Sequence, residues 1–84
     1  MKTLKLSKTD FDFMLNNMEL TAKCIISHEL DSKGKTVSFL VKDYSDFQDM
    51  INFDIVNTGM DNQETVNEQG KRMYQLYDII LAQK

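Results

Sequence analysis

Apolar residues in the first third of the chain recur at two competing periods. Residues Thr3 to Leu6 alternate polar and apolar, which predicts a short strand, and Ser7 offers a side-chain oxygen to cap a helix beginning at Lys8. Leu6 before that cap and Phe11 inside the helix have the spacing of a hydrophobic staple. Phe11, Met14, Leu15, Met18, Ala22, Ile25 and Ile26 then follow at three- and four-residue steps, placing them on one face of a helix that runs to about residue 28. A second reading ends the helix near Asn17 and makes Leu20, Ala22, Cys24 and Ile26 the inner face of a strand that turns back around Gly34. The β-branched Thr21, Ile25 and Ile26 support it. Seven residues obey the longer period and four the shorter, so the long helix is the preferred expectation.

Further along, Val37, Phe39 and Val41 alternate with Ser38, Leu40 and Lys42 as a strand. On the helix reading its only partner is the strand at residues 3–6, paired in parallel through a right-handed crossover. Ser45 with Gln48 makes a capping-box pattern for a second helix carrying Phe47, Met50, Ile51 and Ile55 inward and stopping at Gly59. Asp61 with Glu64 repeats the pattern and predicts a third helix to about Gln83, with Val66, Met73, Leu76, Tyr77 and Ile80 inward. These two helices form a tight αα-hairpin. Gly70 interrupts the last helix, explained by close approach of a neighbouring helix or by a start at Asn67 instead. The expected fold is thus α+β and mainly helical, in the order β-α-β-α-α. The alternative is α-β-β-α-α with a β-hairpin at residues 20–42.

At 84 residues the chain is one domain, residues 1–84, and its 42% apolar and 27% charged content is that of an ordinary globular protein. The absence of proline and the presence of only three glycines leave no linker or low-complexity segment. No apolar run has the length of a signal peptide or a membrane span, so the expected location is cytoplasmic, with no membrane partner. A composition rich in Lys, Asn, Asp and Ile has the flavour of a low-GC bacterial or phage gene. The single Cys24 has no intramolecular disulfide partner and sits among apolar residues, where a buried thiol is expected.

Catalytic and metal-binding patterns are missing. His28 is the only histidine and would need Glu29 or Asp31 to hold a metal, while Ser27 and Ser32 beside it lack a nucleophile elbow. No phosphate-cradling glycine loop occurs. A calcium loop starting at Asn57 would put Asn62 where the sharp turn requires glycine and Gly59 at a ligand position, which excludes an EF-hand. Read as a helix-turn-helix, the second helix opens with Asp61, Glu64 and Glu68, which repel phosphates. The expectation is a non-enzymatic chain without cofactor or metal.

Charge distribution changes the picture more. Residues 43–70 hold seven carboxylates and no Lys or Arg, a formal −7, while ten cations and six other carboxylates leave the remainder at +4. Carboxylates at helix starts, such as Asp46, Asp61 and Glu64, are also explained by the helix dipole. The functional expectation is an acidic face, comprising Asp43, Tyr44, Asp46, Asp49, Asp54, Met60, Asp61, Glu64 and Glu68, that docks on a basic protein partner. Carboxylates standing where phosphates would sit is how some inhibitors of nucleic-acid-binding proteins work, and a phage or mobile-element inhibitor of that type fits by analogy. On the long-helix reading Phe13, Leu20 and Cys24 form a second apolar face, predicting a homodimer. The alternative function is a nucleic-acid-associated regulator that gathers Lys2, Lys5, Lys8, Lys33, Lys35 and Lys42 on one side, although the net charge of −3 makes nucleic acid the lesser partner.

Overall fold

A computed structural model describes residues 1–58, 60–61 and 65–83, the side chains of 60–61 and 65–66 excepted. Strand β1 (Lys2–Ser7) leads directly into helix α1 (Lys8–Asn17), and Ser7 Oγ accepts the Asp10 N–H at 3.1 Å, the cap expected from the sequence. Helix α1 stops at Met18, whose backbone leaves the helical region, while Asn17 Nδ2 donates to the Phe13 carbonyl at 3.0 Å. A single turn, α2 (Glu19–Ala22), comes next, and the chain then extends as β2 (Ile25–Leu30) and returns as β3 (Thr36–Val41). Helix α3 (Tyr44–Thr58), a two-residue ladder of β4 (Met60–Asp61) with β5 (Thr65–Val66), and helix α4 (Glu68–Leu81) complete the chain.

The fold is α+β and mainly helical, and it joins the N-terminal strand to the hairpin alternative in the order β-α-β-β-α-α. The continuous helix to residue 28 does not form. Phe11, Met14 and Met18 of its stripe reach the core, whereas Leu15 and Ile26 are exposed. Beyond the single turn of α2 the chain gains more by pairing with β3 than by continuing as helix, and the β-branched Ile25 and Ile26 suit that choice. The hairpin turn has Gly34 at φ 71°, and Asp31 Oδ1 accepts the Lys35 N–H at 2.9 Å. Because β3 folds back along β2, it also meets β1 antiparallel, and the sheet order is β1-β3-β2. The expected parallel pairing of β1 with β3 is thereby replaced.

One face of the sheet is covered. Leu4 and Leu6 of β1 and Val37, Phe39 and Val41 of β3 face the helices, where they meet Phe11, Met14, Phe47, Ile51, Ile55, Met73, Leu76 and Ile80. Rings run through this core from the sheet edge to α3: His28 to Phe11 at 5.1 Å, Phe11 to Phe39 at 5.5 Å and Phe39 to Phe47 at 5.6 Å between centroids, all tilted. Each such buried side chain contributes about 1.5–3 kcal/mol relative to exposure. The outer edge of β1 is closed by the last turn of the chain. Gln83 Oε1 accepts the Lys5 N–H at 2.7 Å and Gln83 Nε2 donates to the Lys5 carbonyl at 2.6 Å, one amide standing in for a neighbouring strand.

Helices α3 and α4 form a helical hairpin, as expected, with two corrections at their starts. Asp43 rather than Ser45 caps α3, its Oδ1 accepting the Asp46 N–H at 3.1 Å. The α4 cap is Asn67, whose Oδ1 accepts the Gly70 N–H at 2.8 Å, so Gly70 belongs to the first turn and Asp61 to a strand. A helix beginning at Asp61 would forfeit the antiparallel pairing of Met60 with Val66 and Asp61 with Thr65. The expected glycine stop at Gly59 lies outside the described residues, as do Glu64 and the side chains of Met60, Asp61 and Val66.

Candidate partner-binding face on the third helix

Helix α3 buries Phe47, Ile51, Asp54 and Ile55 along one stripe. On a period of 3.6 residues, Asp46, Asp49, Phe53 and Val56 fall on the opposite stripe. All four are exposed there, Phe53 at 53% and Val56 at 52%. Asp43 and Asp46 have a local role, since one caps the helix and the other lies in its first turn against the positive end of the dipole. Asp49, Phe53 and Val56 have none among the described residues. An exposed aromatic and an exposed valine beside carboxylates, on the segment without cations, are the feature of this face that local structure does not explain. Neither Phe53 nor Val56 was among the expected contact residues. Their displacement from the inward stripe of Phe47, Ile51 and Ile55 was the signal in the sequence that marked them.

Two members of the expected acidic face serve the interior instead. Asp54 is only 3% exposed: its Oδ2 accepts the Thr21 N–H at 2.8 Å and the Thr21 hydroxyl at 2.7 Å, and its Oδ1 accepts the Leu20 N–H at 3.3 Å. These are the orphan donors at the start of α2, which Met18 does not cap, so Asp54 is a long-range cap and not a docking residue. Tyr44 is half-buried, and its hydroxyl donates to the Ile80 carbonyl at 2.9 Å; burial, and secondarily Tyr77, raises its pKa. Tyr44 therefore ties α3 to α4. Glu68 is exposed but opens α4, at the far end of the helical hairpin from Asp43, and pairs with Lys71 at 3.4 Å. Of the acidic face expected from the sequence, Asp43 at the cap and Asp46 and Asp49 on α3 remain exposed there.

The expected self-association residues do not share one surface. Phe13 lies under the Arg72 guanidinium of α4, 4.5 Å from its ring centroid, and Arg72 also reaches Asp10 Oδ1 at 3.4 Å. Leu20 lines a cleft of about 700 Å³ with Leu15, Asn17, Lys23, Asn57 and Thr58. The buried carboxylate at that cleft, Asp54, already accepts from Leu20 and Thr21. Cys24 packs partly against the core, its Sγ 3.7 Å from the Leu20 carbonyl. Burial first, then the Asp46 and Asp54 carboxylates, push its thiol above the ordinary value, which disfavours the thiolate.

The lysines are likewise spread. Lys2 and Lys42 stand at one end of the sheet, Lys8, Lys33 and Lys35 at the hairpin end, and Lys5 shares an outer-face row with Ser38 and Glu29. Lys8 pairs with Asp12 at 2.6 Å. The strands thus do not assemble the continuous basic strip that phosphate tracking requires. Among the described residues no three of His, Cys, Asp and Glu converge into a group able to hold a metal, and no helix is long and apolar enough to cross a membrane. No protein-family model, curated protein or solved structure matches the chain.

Proposed function

We propose that this chain is a small non-enzymatic binding module whose α3 outer face docks on a basic, partly apolar surface of a protein partner. The supporting observation is the exposed stripe of Asp46, Asp49, Phe53 and Val56. Phe53 and Val56 supply the desolvated centre that carries most interface energy, and the carboxylates on the same stripe select a cationic partner and speed its approach. Asp43 extends the charge to the helix start.

The test compares wild type with Asp49→Lys and Phe53→Ala, each immobilised and exposed to lysate of the native host, with retained proteins identified by mass spectrometry. Both substitutions are on exposed positions, so thermal unfolding should be nearly unchanged. A partner retained by wild type should be lost from both variants, and its retention should weaken with salt. Equal retention by all three forms at equal stability refutes the reading.

A further inference from the structure

The two edges of the sheet are treated differently. At β1 the Gln83 amide occupies the edge. At β2 no hydrogen bond among the described residues reaches the outer edge, and Ile26, Ser27, His28, Glu29 and Leu30 are all exposed. The outward groups follow from the hairpin register. The Asp31 N–H donates to the Thr36 carbonyl at 2.9 Å, so the backbones of Glu29 and Ser27, at alternate positions, face Ser38 and Leu40 of β3. His28 and Leu30 therefore direct their N–H and C=O groups away from the sheet. An edge of this length with exposed Ile26 (51%) and Leu30 (45%) is a template for another strand.

We propose that β2 is the contact strand of a homodimer, in which a second copy pairs antiparallel with it about a two-fold axis at His28 and joins two three-stranded sheets into one. Outward-facing residues must oppose outward-facing residues, which restricts the axis to Ser27, His28 or Glu29. An axis at Glu29 sets the two Glu29 carboxylates directly opposite each other, a like-charge clash. An axis at Ser27 puts Glu29 opposite Ile25 and leaves Leu30 overhanging. The axis at His28 alone sets Ile26 against Leu30 of the other copy, twice, and places each Glu29 opposite a Ser27. It covers the exposed apolar side chains and keeps the carboxylates apart, with the two His28 side chains facing each other on the axis, so β2 is complementary to itself. The segment from Ser27 to Leu30 is regular and carries the central pairing, while Ile26 is the extra residue of the bulge between Ile25 and Ser27 and meets Leu30 only at the two ends of the contact.

Sedimentation velocity on the full chain, from about 1 to about 500 µM, spans the range in which weak dimers populate. Wild type should pass from monomer to dimer across it. Ser27→Lys, which faces Glu29 of the other copy at two symmetric places, should lower the dissociation constant, and Ser27→Glu should raise it, each by about three- to thirtyfold. Ser27 is exposed, so neither change threatens the fold. Ser45→Glu makes the same change of net charge as Ser27→Glu away from this edge and should leave the constant as it is. A wild-type monomer at every concentration overturns the proposal and leaves β2 to a different chain. A dimer insensitive to both Ser27 substitutions also overturns it, because such a dimer uses another surface.

Discussion

Removing the Asp54 carboxylate should cost more stability than removing any other acidic side chain of the described chain. Asp54→Ala deletes two short bonds, to the Thr21 N–H at 2.8 Å and the Thr21 hydroxyl at 2.7 Å, and a longer one to the Leu20 N–H at 3.3 Å. Thr21 is fully buried, so water does not replace what is lost. A buried donor left without an acceptor costs about 1–3 kcal/mol, and bonds to a charged acceptor lie in the upper part of the range for hydrogen bonds. The hydroxyl rotates toward another acceptor more easily than the backbone N–H does, so the two losses do not simply add. The expected total is about 2–4 kcal/mol, a large part of the stability of a domain this size. Urea unfolding followed by far-ultraviolet circular dichroism measures it as a lower midpoint at unchanged slope. Thr21→Val removes the hydroxyl donor while keeping its volume. In that background Asp54→Ala should cost about 1 kcal/mol less, the coupling read from the double-mutant cycle. A loss below about 0.5 kcal/mol for Asp54→Ala, the value of an ordinary surface substitution, refutes the assignment of Asp54 as the cap of α2.

Gln83→Ala should cost about 1 kcal/mol and accelerate hydrogen exchange of the Lys5 amide in particular, because that N–H loses its acceptor at the β1 edge; unchanged Lys5 protection refutes the edge closure. Alkaline pH should also separate the native from the unfolded chain. The folded pKa values of Cys24 and Tyr44 lie above their ordinary values of 9.0 and 10.0, so the native state holds these protons more tightly. Their contribution to stability is full below pH 9 and is lost as pH rises through the folded-state ionisations of Cys24 and Tyr44. Alkylation of Cys24 should accordingly be slower in the native protein than in urea at equal pH, and equal rates would place the thiol in water.

Local chemistry made several elements legible from the sequence. Ser7 before an apolar three-and-four pattern defines the start of α1, and Phe11, Met14 and Met18 are core whether residues 19–30 are taken as helix or as strand. The α4 stripe of Met73, Leu76 and Ile80 was equally plain, because a long periodic segment carries many concordant residues. Charge is also local information, so the segment from Asp43 to Gly70 without cations needed no fold to be seen. Residues 19–30 were another matter. Over a dozen residues both periods find enough apolar side chains, sharing Ala22 and Ile26, and the deciding energy came from β3, beyond the Gly34 turn.

Tertiary structure likewise decided what individual charges do. The helical period sets Asp54 on the inward stripe with Phe47, Ile51 and Ile55, away from Asp46 and Asp49, but its role as a cap was not legible there, since its partners lie 33 and 34 residues away and become donors only once Met18 breaks the helix. Phe13 looked unpartnered until α4 brought Arg72 over its ring. Strand order belongs to the same class, because β3 must reverse on β2 before it can pair with β1, and the edge left open at β2 is a property of that order alone. Patterns held by neighbours along the chain are written in the sequence. Roles assigned by groups that meet only on folding, where burial and hydrogen bonding are set together, belong to the tertiary structure.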